Sequence, residues 1–112
     1  MLTVGEHLMG GSQPEAFKMC SLFAGGVGGC REEMCGALSA GVIILGALYG
    51  RSALTDDEQR AKQQAAEWRE RFVSHFGATR CASIREEHAT LEDGCAPVVQ
   101  QAAALFLELF ST

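Results

Sequence analysis

The clearest periodic signal in the chain is an apolar stripe, Ala61, Ala65, Trp68, Phe72 and Phe76, spaced three and four apart with Gln, Glu and Arg between its members. This is the pattern of an amphipathic helix that buries one face. The Thr55-Asp-Asp-Glu58 run before it reads as a capping box with acids at the positive helix end, and Gly77 reads as its C-cap. Upstream, Glu32 to Tyr49 (EEMCGALSAGVIILGALY) is apolar nearly all round and predicts a central core helix buried on most of its surface. It is too short, and too acidic at its start, to be a membrane span. Small residues four apart along it, Gly36 with Ala40, Ala37 with Gly41 and Gly46 with Gly50, predict close approach of neighbouring helices.

The flanking segments carry weaker patterns. MLTVGEHLMGG reads as the end of a helix stopped by Gly10 and Gly11, with little chain before it, so part of an N-terminal helix is expected to be absent. Ser12, Pro14 and Glu15 supply an N-cap, a first-turn proline and a capping-box acid for a short helix through about Phe23. FAGGVGGC follows, a glycine loop able to adopt positive φ and to approach another group closely. Thr79 to Glu87 predicts another short helix, LEDGC a loop, and Pro97 the start of a last helix with Val98, Ala102, Leu105, Phe106 and Leu109 at helical spacing. No stretch alternates with period two. The expectation is one all-α domain over residues 1–112, a compact bundle of about four to six helices around a buried Gly/Ala-rich helix.

Composition narrows the function. The 112 residues are 47% hydrophobic and 21% charged with only two prolines, so the chain should fold by itself or as a small oligomer such as a homodimer. A net charge of −5 without a basic stretch argues against nucleic acid and anionic membranes as partners. Five cysteines cannot all pair, which disfavours a purely structural disulfide framework. With no secretory signal pattern at the start, a reducing cytoplasm is expected, where working thiols or metal ligands are commoner than stable disulfides.

Three cysteines are candidates for that work. Cys35 is the leading nucleophile candidate, with Cys81 or Cys95 to resolve: it sits near the start of the central helix, where unpaired N–H groups and the helix dipole favour a thiolate, against the nearby negative charge of Glu32 and Glu33. Cys81 has Arg80 and Arg85 as cationic neighbours, and Cys95 precedes a helix start. His88 lies midway between Cys81 and Cys95, so a metal or iron–sulfur site of Cys35, Cys81, Cys95 and His88, with Cys30 as another possible ligand, is the alternative reading. The close ligand pairs of structural zinc sites are missing, and so is a C-x-x-C dithiol motif. Cys20 is expected in the core. The glycine loop matches neither the dinucleotide fingerprint nor the P-loop.

The stretch FAGGVGGCREEMCGALSAGVIILGALYGR resembles the central block of the C_GCAxxG_C_C family, FVSHFGATRCASIRE its second block, and Cys95 the position of its last cysteine. The resemblance runs from about Val4 to the end. It carries over three of the family's four cysteines, Cys35, Cys81 and Cys95. The first, on the N-terminal helix, is unmatched, and Ala40 stands where the motif has glycine. What the resemblance implies is a cysteine-centred redox role, thiol–disulfide exchange or electron transfer, which an oxidoreductase would serve, with a small thiol or a redox protein as partner. A structural or interaction domain with silent cysteines is the remaining reading.

Overall fold

The computed structural model describes residues 1–111. Six α-helices run along the chain: α1 Leu2–Met9, α2 Pro14–Cys20, α3 Gly36–Tyr49, α4 Gln59–Phe76, α5 Cys81–His88 and α6 Ala96–Leu107, with 3-10 turns at Ser21–Phe23 and Glu108–Phe110. Among the described residues the only β-type pairings are two isolated bridges, Met34 with Arg80 and Thr90 with Gly94. The protein is thus all-α, as its periodicity predicts, and among the described residues no helix is long and apolar enough to cross a membrane.

The core forms where α4 and α6 close on α3. Trp68, Phe72 and Phe106 are fully buried, with Phe76, Leu38, Leu45, Ile84, Val98 and Ala102 around them. Trp68 stands edge-on to Phe106, ring centroids 5.0 Å apart, and to Phe72 at 5.7 Å, the arrangement in which ring edges meet ring faces favourably. Its indole N–H donates to the Leu38 carbonyl at 3.0 Å, so the polar atom of this buried side chain is satisfied. Gly41 makes the contact feasible, because a Cβ there would collide with the Trp68 indole. The predicted small-residue pairs therefore divide. Ala37 and Gly41 are buried, Gly36 packs against backbone of the glycine loop, and Gly46 has open space where a Cβ would stand.

Four predicted helix starts shift, α5 beginning at Cys81 rather than Thr79 because residues 79–81 pair with the segment before α3. Gln13, not Ser12, caps α2, and no side chain bonds the freed amides, because Pro14 already removes one donor there. Helix α4 begins at Gln59 rather than after Thr55, since Asp56 is spent on the preceding turn. Its Oδ2 accepts from the Ser52 and Ala53 amides, and Asp57 Oδ1 accepts from Gln59 N–H at 2.9 Å. Helix α3 begins at Gly36, not Glu32. Residues 32–34 run beside the start of α5 instead, where Cys81 N–H donates to Glu33 O at 2.8 Å and Cys35 N–H to Thr79 O at 2.7 Å.

Candidate functional site

The glycine loop adopts a conformation that few sequences allow. Gly25, Gly26, Val27, Gly28 and Gly29 all have φ between 62° and 77°, five consecutive left-handed residues, and Arg31 follows at 65°. Backbone bonds across the loop hold it, Gly28 N–H to Leu22 O and Arg31 N–H to Gly25 O, both 2.8 Å. Val27 is strained in this conformation, since a β-branched side chain crowds the backbone there. The reason for the shape is visible at Gly26, where an added Cβ would stand 2.7 Å from Cys81 Cβ and 2.9 Å from Glu33 O. Only bare backbone can lie this close over Cys81.

Beneath the loop, Cys35 and Cys81 are set by one pairing. Met34 bridges Arg80 in antiparallel fashion. Side chains alternate along extended backbone, so Cys35 and Cys81 leave the bridge on the same face, opposite to Met34 and Arg80. They are diagonal neighbours, a relation that places Cα atoms about 7–8 Å apart, so a disulfide between them would require the backbone to move closer. Arg80, on the other face, pairs with Glu32 at 2.7 Å. The sequence assigned both groups to the thiols, the glutamate against Cys35 and the arginine beside Cys81, and the structure turns them toward each other.

Cys95 reaches the same place as the N-cap of α6. Arg85, one turn along α5 from Cys81, donates from Nη1 to Cys95 Sγ at 3.3 Å. Burial pushes the Cys35 thiol above its ordinary range; the Ala37 and Leu38 amides at the start of α3 oppose this, and the neighbouring Cys81 and Cys95 add to it. The helix-start argument thus holds in kind and loses to desolvation. Burial likewise raises Cys81, with Cys95 adding to it and Arg85 and Arg31 drawing it down. Of the three, Cys95 alone accepts a hydrogen bond from a guanidinium, which is placed to meet negative charge on that sulfur.

These cysteines line one cavity of about 490 Å³, bounded by α1, α2, α3, the start of α5 and α6. Cys20, from the end of α2, lines it too. Sequence reading placed Cys20 in the core. It is half-buried on the cavity wall, and no local signal marks it, because only the fold of the chain's first third onto α3, through the turn at Ser21–Phe23, brings it there. The other two sequence candidates lie elsewhere. Cys30 is exposed on the glycine loop, its thiol donating to Gly26 O at 2.9 Å. The His88 imidazole Nε2 sits 3.2 Å from the Phe76 carbonyl, at the far end of α5 from Cys81. Among the described residues no three His, Cys, Asp or Glu side chains gather as metal ligands would, so the Cys35, Cys81, Cys95 and His88 set is not assembled.

The arrangement defines a class: a small helical protein whose thiols, drawn from separate helix starts, share one cavity. A family model described as "Putative redox-active protein (C_GCAxxG_C_C)" matches residues 1–109, and the chain belongs to that family. No curated protein and no solved structure matches it.

Proposed function

We propose that this protein is a thiol–disulfide redox protein in which Cys95 is the attacking sulfur and Cys81 or Cys35 resolves the mixed disulfide. The observation that carries the reading is the convergence of Cys35, Cys81 and Cys95, from three helix starts, on one cavity with Arg85 bonded to the Cys95 sulfur. The family description, a redox-active protein, supports a redox role in the coarser sense. Sequence alone favoured Cys35 as the nucleophile. The desolvation of Cys35 and the guanidinium bonded to Cys95 support assigning the roles the other way round.

The chemistry balances as follows. The Cys95 thiolate attacks one sulfur of an incoming disulfide, forming a mixed disulfide and expelling a thiolate that takes up a proton. The second protein thiolate then attacks Cys95 Sγ, closes the internal disulfide and releases the second thiol. Two electrons and two protons pass from the protein to the disulfide. Arg85 steadies the charge on Cys95 before attack and again as Cys95 is regenerated by reductant.

Mass spectrometry of the alkylated protein before and after mild oxidation tests this. One reversible internal disulfide containing Cys95 is expected, lost in Cys95→Ser and retained in Cys30→Ser. Five thiols that stay free after oxidation overturn it. A metal that co-purifies and shields the thiols from alkylation would favour the ligand reading instead.

A further inference from the structure

We infer that the cavity is a substrate pocket and that its substrate is a small apolar disulfide, not a charged peptide-like one. This deepens the redox reading above and rests on it. At about 490 Å³ the cavity falls within the range of small-molecule sites, about 300–1,000 Å³. Its lining is chiefly hydrocarbon, with Met9, Phe17, Ile43, Ile44, Val98 and Val99 contributed by four helices. Such residues would ordinarily close on one another in a core of this size. Here they leave a recess beside four thiols, Cys20, Cys35, Cys81 and Cys95.

Charge decides the substrate class. Glu6, Arg85 and the Met1 ammonium are the charged groups of the lining, few for a recess of this size, and Arg85 already bonds Cys95. A disulfide carrying several carboxylates and ammonium groups would lose its water and find almost no partners. An apolar disulfide has no charged group to desolvate on entering and buries its surface against the helices. Cys95 lies on the cavity wall, where a bound disulfide would be beside it, and Arg85, bonded to its sulfur, is placed near the charge that passes through the exchanging sulfurs. The thiol products are small and apolar, and the oxidised protein returns to its dithiol at the expense of a reducing thiol. The net exchange is one substrate disulfide and two cysteine thiols giving two substrate thiols and one protein disulfide.

Cys30 supplies an internal reference, being exposed and outside the cavity. The reduced full chain is treated with a limiting amount of 4,4′-dithiodipyridine, an apolar disulfide, and in parallel with glutathione disulfide, a charged one. Peptide mapping then gives the ratio of cavity-thiol reaction to Cys30 reaction for each reagent. Comparing the two ratios cancels the intrinsic reactivity of each cysteine. The apolar reagent should shift the ratio toward the cavity by at least about tenfold, the scale on which unpaired charge is excluded from apolar surroundings. Equal ratios overturn the pocket, while an internal disulfide formed all the same leaves the redox cycle standing. A cavity preference that ends in a stable mixed adduct sustains the pocket and overturns the cycle. Val99→Trp, at a partly exposed wall position, should remove the preference with Cys30 unaffected. If that variant retains its helical circular dichroism and the preference persists, the assignment fails.

Discussion

Helix α3 presents glycine on two sides, and the two sides are put to opposite uses. Toward α4 and α6, Gly41 leaves room for the Trp68 indole, and the space is filled by fully buried rings. Toward the chain's first third, an added Cβ on Gly36 would lie 3.2 Å from Ala24 Cα and Phe23 O, so backbone packs on backbone, and beyond it a cavity of about 490 Å³ stays open. The first side is close-packed and relaxed. The second keeps a recess, a run of left-handed residues and four thiols. Stability is thus concentrated on one side of α3 and reactive groups on the other, the division expected when a site needs space that a core would close.

This contrast can be broken most severely at Trp68. Trp68→Ala should cost about 3–5 kcal/mol in urea unfolding, by loss of burial and the cavity left behind. Its effect on thiol reactivity in the folded population should be small, because the indole does not line the cysteine cavity. Gly26→Ala acts on the other side. The left-handed backbone alone should cost about 1–3 kcal/mol, and the methyl must displace Cys81 or the Glu33 carbonyl. Faster alkylation of Cys81 relative to Cys30 should accompany it, read by peptide mapping. A stability loss without that exposure would mean that the loop is braced elsewhere than on Cys81.

Smaller effects sharpen the comparison. Val27→Gly relieves the strained valine at φ 68° in an exposed position and should raise stability by about 1 kcal/mol. The smallest effect at neutral pH is a linkage confined to alkaline solution. Cys35 and Cys81 are raised in the folded state, so the fold favours their neutral thiols. Their contribution is complete below the unfolded thiol pKa of about 8.5 and is lost as pH rises through the higher folded values. Denaturation of the reduced protein should show stability falling above that point, with a shallower fall in Cys35→Ser. A flat profile would mean that these thiols are as hydrated folded as unfolded.

Much of the helical part was legible because it depends on periodicity within each segment. The α4 stripe, the Gly77 stop, the all-round apolar α3 and the Pro97 start each follow from residues close in sequence. The capping assignment at Thr55 failed for a related reason. Two local hydrogen-bonding patterns competed, and Asp56 bonding back to Ser52 and Ala53 won. The three candidate cysteines were legible by their resemblance to the family pattern. Cys20 was not, since its place on the cavity wall depends on how the chain's first third folds onto α3, which no local pattern encodes.

The sequence by itself determined the helices, the buried aromatic face and a glycine loop suited to close approach, because helical period and backbone permissiveness are local properties. Tertiary structure alone decided that Cys35 and Cys81 share a face of one bridge, that Arg85 meets Cys95, and that Arg80 turns away to Glu32. It also decided that desolvation outweighs the helix start at Cys35. Electrostatics and burial act through space, and the spacing of residues along a chain does not set the distances between them once it folds.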